Sequence, residues 1–309
     1  MNGKQIVIIS LCLFGLITGG AAETPLRLTI DGDQLQVHKR EQVILNYAYN
    51  NVPFKPYVKE LYTPSGINIL RDAPADHLHH HGLMFAVAVD GISFWGETNK
   101  DGRQVHRDFS HVRVKEGRDA ACASFTESLV WKTPADANVL REERTLRVYP
   151  STKHQAVLLS WNSTCRVADG KERVEIGGSH YYGLGMRFLK EMDASGTFYN
   201  AQGTTGPIFR GQERLAPAEW CAYEVDVKGR PITIAMFDHP TNWRAATWFT
   251  MPAPFAYISA TLRYHEQPLQ LKEDNQLNLT YGIAVIEGVG KRRVEPIHKF
   301  WLTQMAGSE

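Results

Sequence analysis

The chain is short of several things that would make it easy to classify, and each shortage excludes a class of protein. Cysteine is rare, with four among 309 residues. Cys12 falls in an N-terminal apolar run, which leaves Cys122, Cys165 and Cys221. An odd number allows one disulfide at most, and Cys122 and Cys165 sit in strand-like alternating runs, so buried free thiols are expected. Charge of one sign is missing too: 34 Lys and Arg face 33 Asp and Glu, interspersed, for a net charge of +1. That leaves no concentrated cationic face for nucleic acid. After residue 17 no apolar stretch approaches the about 20 residues of a membrane span. Helical periodicity is nearly absent, as are internal repeats, low-complexity tracts and linkers. Neither His-Glu-x-x-His nor Cys-x-x-Cys occurs, so no standard zinc signature is present.

What is present begins with Lys4, an apolar run from Ile6 to Ile17 and the small residues Gly19-Gly20-Ala21-Ala22. This pattern predicts a cleaved secretory signal over residues 1–22, with a periplasmic or secreted product that has no membrane segment. Roughly 290 residues remain, enough for a sizeable core without disulfides. Period-two alternation dominates them: Leu26 to Ile30, Gln34 to His38, Gln42 to Tyr47, Ala121 to Trp131, Val139 to Tyr149 and Ala156 to Arg166. Further candidates are Thr197 to Asn200, Ala222 to Val227, Pro231 to Phe237, Tyr257 to Leu262 and Gln276 to Ile286, separated by turn signals such as Asp169-Gly170. The face of Val139 to Tyr149 is mixed, which suggests a bulge. Many strands with polar turns predict an all-β fold, a large antiparallel β-sandwich forming one domain over residues 23–309. A short helix is expected from Glu295-Pro296 on, with Ile297, Phe300, Trp301 and Gln304 on one face.

The most unusual feature is Asp76-His77-Leu78-His79-His80-His81-Gly82, four histidines in five positions of a chain that has twelve. If extended, it places His77, His79 and His81 on one side and His80 on the other. Imidazoles so grouped serve as acids and bases near neutrality, and His77 with His79 could hold a divalent metal ion. The apolar run Gly82 to Val89 follows, so the cluster leads into a buried strand. A second group is His180 to Arg187, flanked by Gly177, Gly178, Gly183 and Gly185, which let backbone approach a ligand. A third, Asp238, His239, Asn242 and Arg244, lies where an apolar strand empties into a loop. Trp95 beside Glu97 is a pairing suited to sugar rings. His77, His79, His80, His180 and His239 are the candidate catalytic residues. Trp95, Glu97, Arg187, Asp238, Asn242 and Arg244 are the candidate substrate ligands.

Phe54-Lys55-Pro56-Tyr57, Leu61-Tyr62-Thr63-Pro64-Ser65-Gly66, Asp76 to Leu83 and Phe94-Trp95-Gly96-Glu97 together resemble a bacterial family of unknown function, DUF6807-type, labelled methane oxygenase PmoA-like. Asp238-His239-Pro240, Asn242, Arg244 and Leu279-Thr280-Tyr281-Gly282 extend the resemblance over nearly the whole chain. His77, His79 and His80 match its recurrent histidines. His81 stands where the family usually has arginine, and Trp243 and Ala246 where it has prolines. The resemblance implies a galactose mutarotase-like supersandwich acting on a small-molecule carbohydrate. An exported epimerase, lyase or hydrolase is the leading expectation. A non-catalytic sugar-binding module and a metal-dependent oxygenase are its alternatives.

Overall fold

The structure is a computed structural model that describes residues 7–10, 26–115 and 121–306. Most of the leader segment, Cys12 included, lies outside the described residues. Val7–Ser10 forms a strand that pairs antiparallel with Leu26–Asp31, with Val7 opposite Ile30.

The described strands form sheets of eleven, eight and four, and every pairing is antiparallel. The all-β expectation thus holds. Alternating side chains lay one row of apolar residues against the facing sheet. The resulting core includes Leu45, Val58, Phe125, Leu146, Trp161 and Ile283. Through its middle, the eleven-stranded sheet runs in the order Leu83–Ala86, Gly183–Arg187, Tyr257–Thr261, Thr247–Met251, Glu213–Pro217. Cys122, Cys165 and Cys221 are free thiols, as expected.

Two local expectations need correction, and a third is located. The strand Asn138–Ser151 pairs with Ala156–Val167 in unbroken register from Leu140 opposite Val167 to Ser151 opposite Ala156, but against Cys122–Lys132 its register shifts between Leu140 and Asn138, which places the expected irregularity at Val139. Its mixed face arises because Glu142 and Arg144 point into the core. The apolar run Gly82 to Val89 serves two sheets: Leu83–Ala86 joins the eleven-stranded one and Ala88–Val89 the four-stranded one. The C-terminal helix begins before Pro296 and spans Lys291–Ala306. Pro296 is the sixth residue of that helix, so its missing N–H leaves the Arg292 carbonyl without an i+4 donor. Val294, Ile297 and Trp301 bury against Phe237 and Leu158, and Trp301 Nε1 donates to Ser160 Oγ at 2.8 Å.

Candidate active site

The histidine segment is not extended. Ala75 to His80 makes two successive turns, closed by His77 N–H to Pro74 O (2.8 Å) and His80 N–H to His77 O (2.9 Å). Proline and aspartate at Asp72-Ala73-Pro74-Ala75-Asp76 are the turn formers. The turn is pinned at its base, where Asp72 bridges His81 and Ala73 N–H donates to His80 O at 2.9 Å. Expected alternation fails as a result: His77, His79 and His80 line one cavity together, and His81 faces elsewhere.

That cavity measures about 290 Å³ and is walled by Trp95, Tyr181, Phe249, Met251, Phe255 and Tyr257, with Glu213 as its carboxylate. Register explains the wall. Met251 lies opposite Tyr257, Phe249 opposite Ser259, Gly185 opposite Ser259 and Arg187 opposite Tyr257. Directly opposed residues share a face of the sheet. A methyl group at Gly185 would lie 1.9 Å from Tyr257 Oη and 3.3 Å from the Trp95 ring, so glycine makes the room both need.

His77 stacks on His80 at 4.6 Å and contacts Phe255 edge-on at 4.8 Å. Its Nδ1–H donates to Asp76 Oδ2 at 3.1 Å, which leaves the Nε2 lone pair free. Arg187 Nη2 donates to the same Asp76 oxygen at 3.1 Å while its guanidinium lies 3.6 Å over the Phe255 ring. Slight burial opposes it, but hydrogen bonding from His77 and the charge of Arg187 hold the Asp76 carboxyl down to about 2. Burial, then the positive neighbours, push His80 down to about 2 and lower His79 as well, so both rings are neutral at neutral pH. Five buried polar atoms on four side chains around this cavity have no hydrogen-bond partner: His80 Nδ1, Trp95 Nε1, Tyr257 Oη and the Nε and Nη1 of Arg187.

His81 belongs to a separate buried chain. Its Nδ1–H donates to Asp72 Oδ1 at 2.7 Å and its Nε2–H to Glu97 Oε1 at 2.8 Å. Carboxylates only accept, so the ring carries both protons. Burial alone would lower its pKa, but the two carboxylate bonds outweigh burial and raise it. Tyr57 Oη donates to Asp72 at 3.0 Å and stacks on the His81 ring at 4.5 Å, while buried Lys55 Nζ donates to Glu97 at 2.9 Å. Glu97 therefore serves His81 and Lys55 instead of lining the cavity.

The remaining candidates separate. Trp95 and Tyr181 reach the cavity, and Arg187 stands behind Phe255 and Asp76. His180 lines a neighbouring cleft and donates across the partition to Glu213 at 3.3 Å. Asp238, His239, Asn242 and Arg244 do not join the cavity. Asp238 accepts from Asn242 Nδ2 (2.7 Å) and Ala246 N–H (2.8 Å), and burial raises it to about 6 against those two bonds. Asn242 also clasps the Thr280 backbone, and Arg244 Nη1 donates to Leu262 O at 2.7 Å. His239 accepts from Thr241 and packs edge-on against Trp301 of the helix. The loop is a staple between strands and helix. Sequence reasoning missed Tyr257, Phe249, Met251 and Phe255, whose only signal was membership of fully buried strands and their loops, and Glu213 on a nearby strand.

The expected metal pair lacks a third ligand. The His77 and His79 ring centroids are 5.8 Å apart and His77 Nε2 stays available with Nδ1 bonded to Asp76. Among the described residues no three His, Cys, Asp or Glu side chains are placed to hold a metal ion. These residues do not fit a resident metal centre.

A family model described as a family of unknown function, DUF6807, matches residues 34–298. No curated protein matches the chain. Among solved structures, a Klebsiella pneumoniae protein provisionally described as an aldose 1-epimerase is similar over 100% of this chain and 90% of its own, with 10% identity and a TM-score of 0.38. The GH36 α-galactosidase AgaA from Geobacillus stearothermophilus is similar over 91% of this chain and 40% of its own, with 8% identity and a TM-score of 0.41.

Proposed function

The chain belongs to the DUF6807 family, and from that premise we propose that the histidine cavity is the active site of a carbohydrate-active enzyme that transfers a proton on a sugar or sugar derivative. The observation that carries the reading is convergence. Neutral imidazoles and unpartnered polar atoms surround a cavity of about 290 Å³ whose remaining wall is aromatic apart from Met251 and Glu213. A sugar offers the matching surface, with hydroxyls for the polar atoms and an apolar ring face for Trp95, Tyr181 and Phe255. Asp76 fixes the His77 tautomer, so His77 Nε2 is the base that takes the substrate proton. His79 and His80, held neutral, hydrogen-bond substrate hydroxyls, and Tyr257 Oη donates to an oxygen that gains charge as the proton leaves.

The residues favour epimerase or lyase chemistry over hydrolysis. Glycoside hydrolysis usually needs two carboxyl groups flanking the bond, and among the described residues Glu213 is the one carboxylate that lines this cavity. The leader-like N-terminus supports placing the reaction in the periplasm or outside the cell.

Proton NMR in D₂O with aldoses, uronic acids and 3-keto-sugars tests the reading. A productive substrate gains deuterium at carbon or yields an unsaturated product. His77→Ala is expected to lose about 10²–10⁴-fold in rate, the usual contribution of a positioned base. Undiminished turnover in His77→Ala would remove the assignment. Saturation transfer to bound sugar without any turnover would make the protein a binding module.

A further inference from the structure

Inverting a carbon takes two proton-transferring groups, one on each face of the substrate, because a single base reaches only its own side. His77 stands at one end of the cavity, and the register of the sheet places Glu213 at the other. Arg187 lies opposite Tyr257, and Tyr257 opposite Met251, on neighbouring strands. Arg214 lies opposite Thr250, so by alternation Glu213 continues that row beside Met251. The row Arg187, Tyr257, Met251, Glu213 thus crosses four adjacent strands, about 14 Å from end to end at the usual strand spacing. His77 is fixed at the Arg187 end, through the Asp76 oxygen that both side chains share and through Phe255 at 4.8 Å. Tyr257 and Met251 form the floor between the two ends, and both line the cavity.

Both end groups open on the cavity and keep accessible surface, 36% of the His77 side chain and 15% of the Glu213 side chain. Each is also held from behind. Asp76 Oδ2 accepts the His77 Nδ1–H at 3.1 Å. Arg210 donates to Oε2 and Oε1 of Glu213 at 3.0 and 2.8 Å, and His180 donates to Oε2 at 3.3 Å. A carboxylate has about four acceptor sites, so Oε1 keeps one for the cavity. Stability does not account for the arrangement, since the Arg210 side chain is 67% exposed and ion pairs of that kind contribute little.

We propose that Glu213 is the second acid–base residue of a two-sided epimerase and works on the face of the substrate carbon opposite to the one His77 serves. The assignment rests on the carbohydrate reading of the cavity and narrows it to epimerisation at a carbon next to a carbonyl group. In one direction His77 Nε2 takes the hydrogen as a proton, and the C–H electron pair moves toward the carbonyl to give an enolate. Protonated Glu213 then gives its proton to the other face, the carbonyl reforms, and the carbon is inverted. The pair ends as protonated His77 and Glu213 carboxylate, which is the form that catalyses the reverse reaction. One proton is shared throughout, and no oxidant or further reactant is consumed.

The test is proton NMR of the full chain in D₂O with D-glucose, D-mannose, D-glucuronate, D-galacturonate and 3-keto-D-glucose. It reads two events, entry of deuterium at the substrate carbon and appearance of the epimer, and the parent chain is expected to give both. Glu213→Gln is expected to lose about 10²–10⁴-fold in epimer formation, the contribution of a positioned acid or base. It should still exchange deuterium into the epimer whose hydrogen faces His77, which also shows that it folds. His77→Ala is expected to give the mirror result, with exchange confined to the other epimer. Glu213→Asp keeps the charge but draws it back, and is expected to slow epimer formation about tenfold to a hundredfold with the His77-side exchange unchanged.

Epimer formation at the parent rate in Glu213→Gln overturns the assignment. Loss of exchange on both epimers in Glu213→Gln, with Glu213→Asp behaving as the parent, overturns it as well. A parent chain that exchanges or eliminates without forming an epimer overturns the two-sided arrangement and leaves the carbohydrate reading intact. Absence of exchange, elimination and epimer with all five sugars overturns both.

Discussion

Arg144 and Arg187 are both buried, yet they are treated in opposite ways. Arg144 sits between the large sheets, and all five of its donors are used. Nε and Nη2 bind Glu142 at 2.9 and 2.8 Å, Nη1 binds Tyr47 Oη and Pro56 O at 3.0 Å each, and Nη2 also binds Gln104 at 2.8 Å. Glu142 is satisfied in turn by Trp131 Nε1 and Ser163 Oγ, and Tyr47 donates to Glu127, which His106 also holds. Arg187, beside the cavity, bonds Asp76 through one nitrogen and leaves Nε and Nη1 without partners. Completed polar networks rigidify a core, whereas incomplete ones are tolerated where something else completes them or where function requires it. The satisfied region holds the sheets together, and the unsatisfied one borders the histidine cavity.

Exchanging each arginine for leucine breaks the comparison most sharply. Arg144→Leu strands the buried Glu142 carboxylate and is expected to cost about 3–5 kcal/mol of unfolding free energy. Arg187→Leu removes two unpaired donors along with one bond to a half-exposed carboxylate, and is expected to change stability by less than about 1 kcal/mol. Its loss should appear in kcat, because Asp76 no longer holds His77 in one orientation. Chemical denaturation and turnover of both variants decide it, and equal destabilisation by the two would erase the distinction.

Gly185→Ala sharpens the same contrast on the cavity side. The added methyl collides with Tyr257 Oη, a group that stands near no protein partner and must swing into the cavity. Overpacking of this kind costs about 1–3 kcal/mol. Ligand binding should fall further than stability does, and titration of the variant against a bound sugar measures the difference.

Neighbouring histidines extend the comparison to pH. His80 takes a proton near 6.5 when unfolded and near 2 when folded. Between those values the unfolded chain binds more protons, so stability falls as pH drops below about 6.5, on the order of 1 kcal/mol per unit. The folded pKa of His81 is raised, so its contribution is complete below about 6.5 and is lost as pH rises through the folded value. Relative to the parent chain, His80→Phe is expected to flatten the acid limb of a stability profile and His81→Gln the alkaline limb. The reverse assignment would refute the two environments.

Part of the fold could be read from alternation, because a strand such as Asn138–Ser151 buries one face and leaves the other wetter over much of its length. The site was harder to read. Phe249, Met251, Tyr257 and Ser259 lie on strands buried on both faces, so no polar row marks the cavity side. The histidine segment was recognisable by composition, but Pro74 turned it and sent His81 away from His77 and His79. Lys55, Pro56 and Tyr57, conspicuous in the sequence as part of a motif, gain a physical role: Lys55 and Tyr57 complete the His81 chain and Pro56 O completes Arg144.

The loop from Asp238 to Ala246 supplies the smallest and most discriminating effect. From sequence, His239 belongs with His77 and His79 as a catalytic candidate. In the fold its Nδ1 accepts from Thr241 and its ring rests against Trp301, with no buried unpartnered atom and no place in the cavity wall. His239→Ala is therefore expected to shift stability by less than about 1 kcal/mol, one partly exposed hydrogen bond, and to leave turnover unchanged. Assaying it beside His77→Ala removes composition as an explanation, since both replace a histidine with alanine. A rate loss in His239→Ala comparable with that of His77→Ala would mean that the reacting group binds at the loop, and that unpaired polar atoms are the wrong guide to this protein's active site.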